Sequence, residues 1–468
     1  MRESLRPFLK TTATAAALAV TATLAMPGSG SAETLADALV KAYQTSPTLQ
    51  AARAALRSVD EELPQATSAK KIQSQLSAAA NAITTSDDDY NDIPDYYNAS
   101  LEASLLLYDH GQTAAAVESA RMSIAAARAD LLDVEQQVLY AAVAAYMDVR
   151  RGQELLAIAR NDVDVLDEQL RAINNRFDVG EVTRTDVSLT EAQMQASRAQ
   201  LALAEGNLQT ARQAYLAAVG TLPVDLEAPP PAPALTRNVQ EAVAIGLRSN
   251  PQIVSSQFAE RGAVADFDRA RAAKGPTVSL TGSYGYQGYN RYQGYDRMVG
   301  SVGVNGSIPL TTGGNLDSVV RQAQQVVDQR KSELQAAGRD VTQSVNAAWI
   351  QLRVARATIL ANQRELDASR IAYEGVVEEA RLGARSTLDV LTSNQDRLEA
   401  EAELVTSRRD EYVAAYAVLQ AMGLLTTQQL KLGVERHDPD IYFNQVRSGP
   451  RGGYDTSAVD RIRARWER

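Results

Sequence analysis

The 468-residue sequence predicts a mostly α chain with membrane β-strands, internally duplicated, supplying four strands per chain to a β-barrel that several copies share. Three observations predict this. The two halves of the chain align at a shift of about 204 residues. Each half holds a proline-free stretch long enough for a very long helix, Pro94 to Pro223 and Pro309 to Pro439. Each also holds a pair of segments in which apolar and polar residues alternate with a period of two.

In chain order, residues 1–32 read as a secretory signal peptide. Arg2, Arg6 and Lys10 precede an apolar run from Ala13 to Met26 and a small-residue exit, Gly30-Ser31-Ala32, so cleavage would leave Glu33 first. The run is too short to cross a bilayer. No cysteine follows, which excludes lipid attachment at a terminal cysteine, disulfides and thiolate metal sites.

Repeat 1 covers 33–225 and repeat 2 covers 238–425. "LADALVKAYQTSP" lies over "VQEAVAIGLRSNP", and "VGEVTRTDV" lies over "LGARSTLDV". Each begins with a helical segment, Leu35 to Ser68 or Val239 to Ala273. A β-hairpin follows, at about 72–108 or 276–310. Leu76, Ala78 and Ala80 alternate with Gln73, Gln75 and Ser77, and Tyr97, Ala99, Leu101, Leu105 and Leu107 with Asn98, Ser100, Glu102 and Ser104. In repeat 2, Val278, Leu280, Tyr284 and Tyr286 oppose Ser279, Thr281 and Ser283, while Val302, Val304, Ile308 and Leu310 oppose Ser301, Asn305 and Ser307. One greasy and one polar face on strands of about 10 residues is the pattern of a membrane barrel with a wet lumen.

Next comes a helix of about 65 residues, roughly 100 Å long at 1.5 Å per residue, with seam positions Leu131, Val134, Val138, Ala141 and Ala145, or Val341, Val345, Ala348, Leu352, Ala355 and Ile359. It ends at a turn, Gly180 or Gly383, read as a helix terminator. A return helix runs from about Val182 to Val219, or from about Ser386 to Met422. The return helix is shorter, so the segment before the strands is expected to stack on its end. Between the repeats, 226–237 is a Pro-rich extended linker containing "LEAPPPAPAL". Residues 426–468 form a C-terminal periplasmic tail, expected to be partly disordered.

Four strands cannot close, since the smallest membrane barrels need about 8 and an open edge in lipid leaves amides unpaired. Neighbouring copies must supply the rest; three copies give a barrel of about 12 strands, and two or four are not forbidden. Each hairpin leaves on the side it entered, so the helices continue the barrel into the periplasm as an α-helical barrel. A net charge of -10 argues against nucleic acid as a partner. His110 and His437 are the only histidines, and no phosphate-binding glycine loop occurs, so no catalytic residue, metal site or cofactor is expected. The acidic run Asp87, Asp88, Asp89 and Asp92 reads as a solvated loop rather than a calcium site, and Tyr284, Tyr286, Tyr289, Tyr292 and Tyr295 as interfacial aromatics.

"RFDVGEVTRTDVSLTEAQ" and "EARLGARSTLDVLTSNQDRLEAEAEL" resemble the paired helix-turn motifs of the TolC outer-membrane efflux family, and the likeness extends to about Leu425. "HDPDIYFNQVRS" is similar to the tail of members serving type I secretion. The resemblance implies a TolC-like homotrimer in outer-membrane lipid, a passive exit duct for type I protein secretion and/or drug efflux. Its implied partners are a periplasmic adaptor (membrane fusion) protein and an inner-membrane ABC or proton-driven transporter. It also implies a gate at the periplasmic tip, with Asp389 at an aspartate position lining the constriction and Arg385 and Asp186 at positions that tie the closed tip together. Thr392 stands where a second aspartate is frequent, so a single acidic ring is the expectation, and Ala380 replaces a usual tyrosine partner. Read from the residues alone, Asp389 and Asp186 lie in a helix's first turn, where a carboxylate suits the dipole without further role. Two rivals stand beside the duct. A periplasmic coiled-coil adaptor or scaffold would lack the strand pairs, and an outer-membrane enzyme would need a catalytic cluster.

Overall fold

The computed structural model describes residues 32–81, 96–289 and 297–447. The leader up to Ser31, the acidic loop from Asp87 to Asp92, Tyr292, Tyr295 and the tail beyond Arg447 lie outside the described residues. The first repeat runs α1 (Leu35–Thr45), α2 (Pro47–Asp60), α3 (Glu62–Ser68), β1 (Gln73–Asn81), β2 (Tyr96–Tyr108), α4 (Gln112–Asp178) and α5 (Arg184–Val219). The second runs α6 (Val239–Ser249), α7 (Pro251–Ala272), β3 (Thr277–Tyr289), β4 (Arg297–Ser307), α8 (Asn315–Arg381) and α9 (Thr387–Ala421), and α10 (Pro439–Val446) follows.

The helical segment before each strand pair is broken rather than continuous. Ser46 and Asn250 each stand before a proline, are held out of the helical region at ψ 119° and 126°, and cap the next helix through their side chains. Proline at the first helical position needs no N–H partner, so the same device bends both repeats at matching places.

Helices α4 and α8 each span 67 residues, about 100 Å. Near the strands α4 packs on α2, α3 and α7; further along it packs on α5, where Gly152 admits Leu208 at close range. The short helices thus complete the column that the 36-residue α5 and 35-residue α9 leave unfinished. The seam expected on α8 is buried at Val341, Val345, Leu352 and Ala355. On α4 the expected Val138 and Ala145 are buried but Ala141 is exposed, and the buried stripe widens to Leu139, Ala142, Val143, Tyr146 and Val149, because α1, α5 and α9 all cover this helix.

The linker is extended and anchored. Glu33 pairs in parallel with Leu226, with N–H···O bonds of 2.6 Å to Asp225 and 3.0 Å from Glu227. The Tyr146 hydroxyl donates to the Glu33 and Glu227 carbonyls, and Tyr215 donates to the Glu33 carboxylate at 2.9 Å. Burial, with the Glu33 and Glu227 charges beside it, pushes the Tyr146 hydroxyl up to about 12 against the opposing pull of Arg150.

The four strands form one antiparallel sheet in the order β1-β2-β3-β4. Register keeps faces together: Leu76 opposes Leu101, which opposes Tyr284, while Gln75 opposes Glu102, which opposes Ser283 and then Ser301. The apolar face is bare in the single chain, with Leu76 76 % and Val302 83 % exposed. The polar face lines a shallow hollow bounded by Gln73, Gln75, Glu102, Ser104, Thr281 and Ser283. A β-bulge at Leu107 shifts the alternation, so Tyr108 rather than Leu107 opposes Val278. Among the described residues, strands β1 and β4 each keep one edge without a partner strand.

Candidate functional site

The two helix turns farthest from the strands are built alike. At the first, Gly180 adopts φ +81° and Glu181 N–H donates back to the Arg176 carbonyl at 2.9 Å. At the second, Gly383 adopts φ +77° and Ala384 N–H donates to Glu379 at 2.9 Å. A left-handed glycine closing the last turn of a helix in this way is a terminator. The next helix starts at once with a reciprocal cap, Thr183 with Asp186 and Ser386 with Asp389.

Asp389 therefore accepts hydrogen bonds from the Ser386 N–H at 2.9 Å and hydroxyl at 2.8 Å. Those bonds, with nearby Arg385, hold its carboxyl below the usual range, so it is charged at neutral pH. Asp186 is held low by its bonds to Thr183 and also by the Thr387 hydroxyl, which brings the first turn of α5 to that of α9. Arg385 reaches back across its own turn to Glu379 at 2.8 Å, and that bond raises its pKa further. Thr392 is exposed one turn further along α9. The structure thus places Asp186 against Thr387 and Arg385 against Glu379; it does not join Arg385 to Asp186.

Above the turns lies a contact set that the sequence reading missed. Leu166, Met194 and Leu391, from α4, α5 and α9, form a small core. Beside it the Asp162 carboxylate accepts from the Ser197 hydroxyl and, at 3.1 Å, from the Asn394 amide; Ser197 and Asn394 are each only 3 % exposed. Asn394 in turn accepts from Arg397 at 3.0 Å, whose guanidinium stacks over Tyr373 of α8 at 5.4 Å. All four long helices thereby share one polar cluster. Its only trace in the sequence is a polar residue at an inward helical position, which periodicity alone does not distinguish from a solvated one.

Bare-faced strands above two helical hairpins of about 100 Å define a protomer of an outer-membrane channel with a helical extension. Comparison with known proteins makes this specific. The chain belongs to the family described as "Outer membrane efflux protein", whose model matches residues 38–221 and 245–424, one match in each repeat. It is 34% identical over 434 residues to the outer membrane efflux protein BepC of Brucella suis biovar 1, covering 92% of this chain and 94% of that protein. It is 26% identical to the outer membrane protein TolC of Vibrio cholerae over 410 residues, 85% of this chain and 92% of that one. Among solved structures, the Vibrio cholerae outer membrane protein VceC superposes with a TM-score of 0.70 at 21% identity, over 83% of this chain and 96% of that one.

Proposed function

We propose that three copies of this chain assemble in the outer membrane as the passive exit duct of a tripartite export system. The observation that carries the reading is the sheet: four strands with one uncovered apolar face and an open edge at each side. In lipid those edges must be paired, and identical neighbours offer matching ones. Three copies give about 12 strands, an even antiparallel barrel with room for water. The helical hairpins then hang into the periplasm, where an adaptor protein and an ABC or proton-driven inner-membrane transporter would meet them. The family's members carry names of efflux channels, which supports export rather than catalysis. The strand pairs weigh against the periplasmic scaffold, which has no use for a greasy barrel face.

Within this reading the tip is the gate. Three Asp389 carboxylates would ring the opening, charged because the cap bonds keep them so, and Arg385 would brace the turn through Glu379. Asp186 would tie α5 to α9 through Thr387. Cargo of either kind, secreted protein or small molecule, fits a tube whose energy and selection come from its transporter.

Planar-bilayer recording on detergent-purified protein tests the proposal. Trimers should conduct, Asp389→Ala should lower cation preference, and Arg385→Ala should raise conductance. A mature protein that is monomeric and water-soluble without detergent would refute the duct. Unchanged reversal potential and conductance in both variants would refute the gate.

A further inference from the structure

The strands carry almost no charge. Among their described residues Glu102 and Arg297 are the only ionisable side chains apart from tyrosines. Arg297 opens β4, opposite Gln287, and lies four residues from Ser301, about 13 Å along the strand. Glu102 sits mid-strand on the polar face, in a row that crosses the whole sheet: Gln75, Glu102, Ser283, Ser301. The two serines satisfy one another at 2.8 Å. Among the described residues no Lys, Arg or His lines the hollow that Glu102 faces, so its carboxylate stands exposed to water without a described cation beside it.

We propose that Glu102 sets the charge selectivity of the barrel lumen, a filter separate from the periplasmic tip. The inference rests on the three-copy channel reading, which turns one Glu102 into a ring of three at one level. About 12 strands spaced roughly 4.8 Å apart and tilted about 40° give a backbone radius near 12 Å. A glutamate reaching inward brings each carboxylate to roughly 7 to 8 Å from the axis, with little but hydroxyls and amides around it. That distance is shorter than the Debye length of about 10 Å at 0.1 M salt and longer than the roughly 3 Å at 1 M. The ring therefore favours small cations over anions in dilute salt and is screened out in concentrated salt. Anionic solutes crossing the barrel meet a barrier that neutral and cationic ones do not.

The chain contains no cysteine, so Glu102→Cys creates a unique handle. Reversal potentials would be recorded in KCl gradients across bilayers holding the full-length protein, unaltered or Glu102→Cys, and Glu102→Gln in parallel. Near 0.1 M, both variants should lower the cation-to-anion permeability ratio about threefold or more, and near 1 M the difference should nearly vanish. Labelling the cysteine in place with an anionic sulfonatoethyl thiol reagent should restore the ratio, and a cationic trimethylammonium reagent should reverse it. Conducting channels whose ratio near 0.1 M is untouched by either variant and by either reagent would overturn the Glu102 assignment alone. An unaltered protein that forms no channel would overturn the three-copy reading, and this inference with it. Asp389→Asn, made in the same background, should add its own change independently; loss of the Glu102 effect in that background would place selectivity at the tip instead.

Discussion

Arg409 of α9 grips both carboxylate oxygens of Asp148 on α4, at 2.9 and 3.2 Å, and takes Asp410 with its remaining nitrogen at 2.9 Å. The pair joins the two duplicated halves, since α4 belongs to the first repeat and α9 to the second. Burial opposes the guanidinium charge, but Asp148 and Asp410 outweigh it and raise its pKa. Bidentate geometry fixes the angle between the two helices as well as their distance. Arg409→Met should destabilise the folded protein by roughly 1 to 3 kcal/mol, less than for a fully buried pair because water reaches both partners. Arg151, 3.4 Å from Asp148, also compensates in part. A double-mutant cycle with Asp148→Asn, read by urea unfolding in detergent, should show coupling of at least about 0.5 kcal/mol. Strict additivity would mean that the contact does not bind the halves.

The tip should loosen in acid but not within the physiological range. Asp186 and Asp389 have carboxyls held below the ordinary value of 3.8 by bonds to Thr183 and Ser386. A depressed native pKa means that the stabilisation is complete above the unfolded value and is lost as pH falls through the lower native one. Amide exchange at Val187 and Val390, which donate to the cap residues' carbonyls, should therefore stay slow relative to intrinsic rates from pH 8 to about 4, and accelerate below. Thr183→Ala or Ser386→Ala should weaken its own turn by about 1 kcal/mol at neutral pH. Loss of protection already near pH 6 would show that some other group controls the turn.

Asp60 behaves in the opposite sense. It ends α2, is 1 % exposed, and neither carboxylate oxygen has a hydrogen-bond partner among the described residues. Burial raises its pKa against the pull of Arg128, with Glu61 and Asp440 adding to the rise. A raised native carboxyl pKa costs stability once the unfolded chain would ionise, so the penalty is present at neutral pH and disappears below about 3.8. Asp60→Asn should thus stabilise the protein by about 1 kcal/mol at pH 7 and by nothing at pH 3. Around it, α10 is strapped down by Arg128 to Asp440 at 2.7 Å and by Tyr442 to Glu61 at 2.7 Å. Melting temperatures across that pH range would check the sign, and a variant less stable at pH 7 would contradict it.

Local signals made much of this fold legible. Alternation in "SQLSAAA" and "NASLEASL" exposes which strand face is greasy, because the period of two is set by the pleat itself. Gly180 and Gly383, each followed by a Thr or Ser three residues on, announce turn and cap together, since both are chemistry within six residues. The prolines at 47 and 251 were equally visible, yet their effect depends on whether a helix continues past them as a stacked column, which tertiary packing decides. Contacts between distant residues were not legible. Asn394 meets Asp162 across 232 residues, and nothing in the helical period of either segment names the other. The exposed Ala141 shows the same limit: a seam spacing says that one stripe is buried, while the neighbour that buries it is chosen by α1, α5 and α9.

The lipid face gives the sharpest test of the sheet, because the register makes opposite claims for adjacent residues. Leu101 and Val302 stand mid-strand on the apolar side, opposite Tyr284 and Gly282 respectively. Lysine at either place puts a charge near the bilayer midplane, at a cost of about 2 to 4 kcal/mol. Heat-stable oligomer recovered from membranes should drop for Leu101→Lys and Val302→Lys. The same lysine at Gln75 or Ser301, on the polar side of the same sheet, should leave the yield nearly unchanged, because water reaches those positions. At the bulge, strict alternation would send Leu107 to lipid and Tyr108 to the lumen, whereas the observed pairing sets Tyr108 opposite Val278 on the apolar side. The strand ends there, so a charge at Tyr108 should cost only about 1 kcal/mol or less. A thiol at position 108 should nevertheless resist a water-soluble reagent and accept a lipid-soluble one. The reverse labelling would mean that the bulge is absent in the membrane and that the alternation runs unbroken to Asp109.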